Sequence, residues 1–240
     1  MNALLLSAGF GKRLLPLTKT TPKPLLKIRG EPLLKKWIVH LKSLNINDII
    51  INYHYLPNIF DDFFLENFNC NIIKKYEPKI LGTGGSFEKY INLLDENDIN
   101  LVAHSDNYFN FSLENFVNFS RKNLNKNHFM SVMIFETDDP SSCGIYECDG
   151  IYAKSFIEKP KFSKSKYASS AIFIFNNFFI EHYKNELINQ NIFDFSADVL
   201  PKIVQNTILY KADGKITDIG SLDNFNYLNN PSSKNNNNYK

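Results

Sequence analysis

The 240-residue chain is 43% hydrophobic and 22% charged, which supplies a packed core and excludes disorder of the whole chain. Its 27 basic and 25 acidic side chains leave a formal charge of +2, too little for a general polyanion-binding surface, so any phosphate chemistry must use locally placed cations. Cys70, Cys143 and Cys148 form no C-x-x-C pair and argue against a disulfide framework or a structural zinc site.

Residues 3–6 are a short apolar run with no basic segment before them, too short for a signal-peptide core or a membrane span; they predict a buried strand. No other stretch reaches membrane-spanning length without charges, so a soluble, cytoplasmic protein with no membrane partner is expected. A loop punctuated by glycine and proline covers 7–23. A helix begins near Pro32, whose missing N–H suits a first turn, with Leu34, Trp37, Ile38, Leu41 and Leu44 at helical spacing. Residues 48–52 predict a second buried strand, Ile59, Phe60, Phe63 and Phe64 a helix, and 70–74 a third strand. After a glycine-rich loop at 82–85, residues 87–94 predict a helix and 99–103 a further core strand. The β-α-β-α-β-α-β order implies an α/β fold: a Rossmann-like, doubly wound, mainly parallel mixed sheet flanked by helices. Ligands bind such sheets at the carboxyl ends of strands, where the order reverses.

The second half is richer in strands, predicted at 130–136, 144–148, 151–157 and 171–175, as a smaller β-rich lobe. Asp149-Gly150 predicts a type I′ hairpin turn. Helices are expected at 178–189, 196–205 and 222–228, with late strands at 207–210 and 216–219. From Asn229 the chain is rich in Asn, Ser and Lys, with four asparagines at 235–238, and predicts a disordered tail over 229–240. The organisation expected is one domain over 1–228 in two halves, 1–125 and 126–228.

Chemistry concentrates in the loop after the first strand, Ser7-Ala8-Gly9-Phe10-Gly11-Lys12-Arg13. Gly9 and Gly11 let the backbone approach a ligand and turn N–H groups toward one point, which suits phosphate oxygens. Arg13 adds a planar fork of donors for bidentate phosphate contact. Gly11-Lys12 is not followed by Ser or Thr, so a Walker A loop is excluded, and Leu14 stands where a Rossmann fingerprint has its third glycine. In Pro22-Lys23-Pro24 two prolines hold Lys23 in a stiff extended segment.

From Ala8 to Leu34 the pattern Ala-Gly-x-Gly-x-Arg-Leu-x-Pro-Leu-Thr, then Thr-Pro-Lys-Pro-Leu-Leu-x-Ile-x-Gly-x-Pro-Leu-Leu, closely resembles the sugar-1-phosphate nucleotidyltransferases. The likeness extends over about residues 1–228 and looks closest to short bacterial mannose-1-phosphate guanylyltransferase-like and MurNAc-1-phosphate uridylyltransferase-like proteins. It implies an NTP and a sugar 1-phosphate as substrates, an NDP-sugar and pyrophosphate as products, and no covalent intermediate. Catalytic roles fall to Arg13, against the departing pyrophosphate, and Lys23, against the α-phosphate. Ala8, Gly9, Gly11 and Lys12 would lie along the triphosphate, although Lys12 replaces a frequent Thr and can equally face solvent. Gly82, Thr83 and Gly84 resemble the family's base- and ribose-contacting segment.

Asp106 follows a core strand, where a carboxylate is well placed to hold magnesium; a turn or cap role is the commoner one for an Asp-Asn pair. The resemblance favours the metal role and pairs Asp106 with Asp218, although Ser105 replaces the usual glycine. Glu158 and Lys159 would meet the sugar and its phosphate, with Gly144 close to the sugar and Ser169 a weaker contact, since Ala168-Ser169-Ser170-Ala171 departs from the family pattern. The five histidines show no metal-ligand spacing, and the many aromatics read as core or interface rather than as a platform for nucleic acid.

A hexose- or heptose-1-phosphate guanylyltransferase in nucleotide-sugar and cell-surface polysaccharide biosynthesis is the leading expectation. The alternatives are a uridylyltransferase of glucose- or MurNAc-1-phosphate, a cytidylyltransferase of another phosphorylated small molecule, and a non-catalytic nucleotide-sugar-binding subunit. A homo-oligomer is compatible with the sequence. The chain stops before any appended left-handed β-helix, so a second acetyltransferase activity is not expected.

Overall fold

Leucine and isoleucine runs form the first strands because they can be covered on both sides. In the computed structural model, which describes residues 1–66, 68–188 and 190–230, Asn2–Leu6 (β1) is buried at every position. Lys27–Ile28 (β2) and Glu31–Pro32 (β3) form a small hairpin ahead of helix Leu33–Ser43 (α1). There follow Asp48–Tyr53 (β4), Pro57–Phe63 (α2), Asn71–Tyr76 (β5), Gly82–Tyr90 (α3), Asn100–His104 (β6) and Asn107–Tyr108 (β7). The second half begins with Glu114–Asn123 (α4), Met130–Glu136 (β8), Gly144–Asp149 (β9), Tyr152–Glu158 (β10) and Tyr167–Phe175 (β11). It ends with Asn177–His182 (α5), Phe195–Asp198 (α6), Thr207–Lys211 (β12), Thr217–Asp218 (β13) and Leu222–Asn229 (α7).

One nine-stranded sheet runs β5-β4-β1-β6-β11-β8-β12-β10-β9. The ladders β5–β4, β4–β1 and β1–β6 are parallel, and β1 lies between β4 and β6, so the strand order reverses across it. Alternate side chains of β1 enter two different cores. Ala3 and Leu5 join Trp37, Phe60 and Phe116 on one face, while Leu4 and Leu6 join Phe87, Phe179 and Phe195 on the other. Burial on both faces explains why these strands read as continuous apolar runs. Beyond β6 only β8–β12 is parallel; β11 pairs antiparallel with β6, β8 and β9, and β10 with β9 and β12. The first half of β11 touches both β8 and β9, so the sheet curls back on itself at this end.

Several expectations need correction. Pro32 precedes the first turn of α1 in an extended conformation, because it closes the β2–β3 hairpin. The segment 82–85 is not a loop but the first turn of α3, seated against the loop that precedes α6. A Cβ on Gly84 would strike Ile192, and the Gly84 N–H donates to Phe193 O at 2.9 Å. The β9–β10 turn is Gly150-Ile151, since Tyr152 pairs with Asp149; only Gly150 has positive φ, which does not meet the two-residue requirement of type I′. The helix expected at 196–205 breaks after Asp198 into separate 3-10 turns, Leu200–Lys202 and Val204–Asn206, around Pro201, which has no N–H to give. That at 178–189 is α-helical only to His182, then a π-turn over Tyr183–Leu187, with Asn189 outside the described residues. The strand at 216–219 shrinks to β13. Asn229 is the last residue of α7, its amide accepting from the Arg29 N–H and donating to Lys27 O. Positions 231–240, with the four asparagines, lie outside the described residues.

Candidate active site

The carboxyl ends of β1 and β6 are tied together by hydroxyls. Ser7 Oγ donates to Ser105 Oγ at 2.8 Å, and Ser105 Oγ donates to Leu6 O at 3.0 Å. Ser105, where a glycine was expected, therefore closes the seam between the two strands that carry the site. The Ser7 N–H donates to Asn52 Oδ1 at 2.7 Å, drawing in the end of β4 as well.

Beyond Ser7 the loop turns at Gly11, whose φ of +64° is left-handed. A Cβ there would lie 2.9 Å from Thr18 Cγ2 and 3.1 Å from Lys23 Cβ, so glycine lets the loop press against the segment that carries the lysine. Thr18 Oγ1 donates to Gly11 O at 2.9 Å and pins the turn. Lys23 is not extended as expected. Pro22 is, but Lys23 opens a 3-10 turn, Lys23–Leu25, and is only 8% exposed.

That burial aims the Lys23 ammonium at two carboxylates. Lys23 Nζ lies 2.5 Å from Asp106 Oδ2 and 3.1 Å from Asp218 Oδ1, while Arg13 Nη2 stands 3.9 Å from Asp218 Oδ2. Asp106 follows β6 and Asp218 ends β13. The two-residue β7–β13 ladder pairs Asp218 with Asn107, and the Ile219 N–H donates to Asp106 O at 3.0 Å. Trp37 Nε1 donates to Asn107 O at 2.9 Å and anchors the same corner to the core. The four charged groups singled out in the sequence thus converge on one point.

Burial would lower the Lys23 pKa, but the charges of Asp106 and Asp218 and their hydrogen bonds outweigh it and hold the ammonium above its ordinary value. Burial pushes Asp106 up, yet the Lys23 charge and hydrogen bond hold its carboxyl below the usual range. Asp218 goes the other way, raised by burial and by the neighbouring Asp106 charge against the pull of Lys23. The carboxylate pair has more negative charge than one lysine neutralises. Among the described residues no group of three or more His, Cys, Asp or Glu could hold a metal. Two converging carboxylates suit a hard divalent ion that takes its remaining ligands from phosphate and water, as magnesium does.

Beside the charges lies a cavity of about 160 Å³ bounded by Ala8, Gly9, Gly82, Thr83 and Asp106, with Asn52 and Ser86 in its wall. Gly9 is exposed with open space around its Cα. Gly84 is not part of this wall, because its N–H is already bonded to Phe193. The Thr83 hydroxyl accepts from the Phe195 N–H at 2.8 Å. Lys12 is exposed, its ammonium 5.3 Å from the centre of the Phe10 ring.

On the strand-rich side, a Cβ on Gly144 would lie 2.6 Å from Glu158 Oε2 and 2.5 Å from Phe156 Cζ, so the glycine makes room for the glutamate. Lys159 has a left-handed φ of +48°, donates its N–H to Cys143 O, and pairs with Glu158 at 3.3 Å. Ser169 Oγ accepts the Ala171 N–H at 3.3 Å beside a bulge in β11, which gives this hydroxyl a local structural bond.

Sequence reasoning missed Asn52, Glu77 and Ser86, a buried polar group behind the cavity. Asn52 carried a usable signal: an amide directly after Ile49-Ile50-Ile51, at the carboxyl end of a strand next to the order reversal. It also missed Phe10, which packs edge-on against His54 and Tyr55.

A family model described as nucleotidyl transferase matches residues 2–234. The chain belongs to the nucleotidyl transferase family. It is 24% identical over 232 residues to a mannose-1-phosphate guanylyltransferase catalytic subunit beta of Dictyostelium discoideum, covering 94% of this chain and 62% of that protein. It is 29% identical over 218 residues to mannose-1-phosphate guanylyltransferase 1 of Arabidopsis thaliana, covering 88% and 58%. The chain therefore spans about 60% of the length of these curated relatives. Among solved structures, HddC from Yersinia pseudotuberculosis complexed with GMP-PN superposes with a TM-score of 0.73 at 24% identity, over 93% of this chain and 96% of that one. A UDP-glucose pyrophosphorylase complexed with UDP-glucose gives 0.78 at 21%, over 96% and 97%. These likenesses establish the fold for a nucleotidyl transferase; among the described residues no helix is long and apolar enough to cross a membrane.

Proposed function

We propose that this nucleotidyl transferase joins a nucleoside triphosphate to a sugar 1-phosphate and releases pyrophosphate. The observation that carries the reading is the meeting of Lys23, Arg13, Asp106 and Asp218 beside a cavity at the carboxyl ends of β1 and β6. An oxygen of the sugar phosphate attacks the α-phosphorus, the bond to the bridging oxygen of the β-phosphate breaks, and pyrophosphate departs with the electron pair. The attacking oxygen is already ionised at neutral pH, so no general base is required. Lys23 neutralises charge on the α-phosphate oxygens and Arg13 meets the leaving pyrophosphate, which is the electrostatic work phosphoryl-type transfer demands. Gly9 and Gly11 let the backbone follow the triphosphate. Asp106 and Asp218 would hold magnesium, which when bound neutralises part of the triphosphate charge.

Gly144, Glu158 and Lys159 form the proposed acceptor side. The curated relatives are named as mannose-1-phosphate guanylyltransferases and the HddC structure holds GMP-PN, which supports GTP and a hexose or heptose 1-phosphate. A pyrophosphate-release assay over four triphosphates and a panel of sugar phosphates, with magnesium, tests the proposal. Turnover with at least one sugar phosphate, abolished by Asp106→Asn, is expected. Absence of turnover with every pair would reject the reaction.

A further inference from the structure

One stretch of the cavity wall, formed by Asn52 and Ser86, has a fixed hydrogen-bonding polarity. Asn52, Glu77 and Ser86 are 1%, 0% and 1% exposed, and Asn52 and Ser86 border the cavity. Ser7 can only donate its backbone N–H, so its bond to Asn52 Oδ1 sets the orientation of the amide. Both Nδ2 hydrogens are then committed, one to Glu77 Oε1 and one to Ser86 Oγ, each at 3.0 Å. The Ser86 hydroxyl gives its own proton to Glu77 Oε1 at 2.8 Å. Both Asn52 amide hydrogens and the Ser86 hydroxyl hydrogen are thus used within the group. What remains for a ligand is acceptor capacity, one lone pair on Asn52 Oδ1 and one on Ser86 Oγ. Thr83 differs: it accepts the Phe195 N–H and keeps its proton free to donate.

We propose that Asn52 and Ser86 select the nucleobase, and that this wall of two acceptors, with the Thr83 donor nearby, chooses guanine. Guanine alone among the common bases carries two adjacent donors, N1–H and the N2 amino group, beside an acceptor, O6. Uracil and thymine set carbonyls on both sides of a single N3–H, which would face the two acceptors with like polarity. Adenine and cytosine place an acceptor nitrogen next to their amino group. The inference rests on reading this cavity as the nucleotide site, and it adds residues and a reason to the base.

Equilibrium competition against a ribose-labelled fluorescent GTP analogue tests it without turnover. Wild-type protein should bind GTP at least about tenfold more tightly than ITP, which lacks only the N2 amino group, because an acceptor is then left buried and unpaired. ATP and UTP should compete more weakly still. Ser86→Ala, a small change, should cut the preference for GTP over ATP and UTP by about fivefold or more, whereas a purely structural serine would weaken all four equally. Binding of ITP or UTP as tight as GTP by wild type overturns the inference, as does an equal loss for every nucleotide in Ser86→Ala. Guanine-selective binding without pyrophosphate release from GTP in the presence of any sugar phosphate would leave the base selection standing and remove the proposed reaction. No competition by any nucleotide would remove both.

Discussion

Replacing Lys23 with Met takes one positive charge from between two carboxylates and keeps most of the buried stem. The ammonium lies 2.5 Å from Asp106 and 3.1 Å from Asp218. Opposite unit charges 4 Å apart attract by about 4 kcal/mol at an effective dielectric of 20. Removing one member of a buried pair costs about 3–5 kcal/mol. Here the Asp106 and Asp218 side chains keep 30% and 47% of their surface in solvent, so screening reduces the expected loss. A destabilisation of about 2–3 kcal/mol remains. In a protein of this size that lowers Tm by roughly 4–12 °C. The variant also leaves the two carboxylates with only the exposed Arg13 guanidinium, 3.9 Å from Asp218, as a cation beside them, so a divalent ion should recover part of what the ammonium supplied. Thermal unfolding of parent and Lys23→Met, in chelator and in excess magnesium, measures both effects. The variant should melt lower in chelator and gain more from magnesium than the parent does. Equal gains in the two proteins would show that Asp106 and Asp218 do not form a cation site, and the electrostatic reasoning would fail.

Arg13→Ala should leave folding intact, because 77% of the side chain is in solvent, yet lower turnover about a hundredfold or more in a pyrophosphate-release assay. Phe87 packs against the rings of Phe175, Phe179, Tyr183 and Phe195, so Phe87→Ala should cost about 3–5 kcal/mol in denaturant unfolding; a much smaller loss would mean that the aromatic cluster collapses to fill the space. The Tyr53 hydroxyl is raised from 10.0 to about 12, by burial and then by its hydrogen bond to Asp61. The fold favours the neutral phenol, so this stabilisation is complete below the ordinary value and disappears as pH rises from 10.0 through about 12. The stability difference between parent and Tyr53→Phe, followed by denaturation across that window, should shift against the parent at its upper end.

The parallel half of the fold was legible because its strands are buried on both faces, so an unbroken run such as Ile49-Ile50-Ile51 has few other interpretations. The charged constellation was legible through Arg13, Lys23, Asp106 and Asp218, whose motifs are local in sequence. What could not be read is what depends on distant partners. Residues 82–85 looked like a loop because glycines disfavour helix, but packing of Gly84 against Ile192 and Phe193 overrides that propensity. The role of Ser105 needed Ser7 beside it, 98 positions away. Asn52, Glu77 and Ser86 lie on three elements and acquire a common polarity only when the sheet brings them together. The place of Gly84 outside the cavity lining was hidden for a related reason: sequence does not say which backbone N–H is already engaged.

The β7–β13 ladder joins residues 107–108 to residues 217–218 by a contact only two residues long. It fixes the approach of the two acidic side chains within the backbone itself. The chain that returns between them is nonetheless part of the same body, since it supplies β11, which pairs with β6, and Phe179 and Phe195, which pack with Leu4 and Leu6. A change that parts β11 from β6 should therefore reach Asp106, two residues past the end of β6, although no charged side chain is altered.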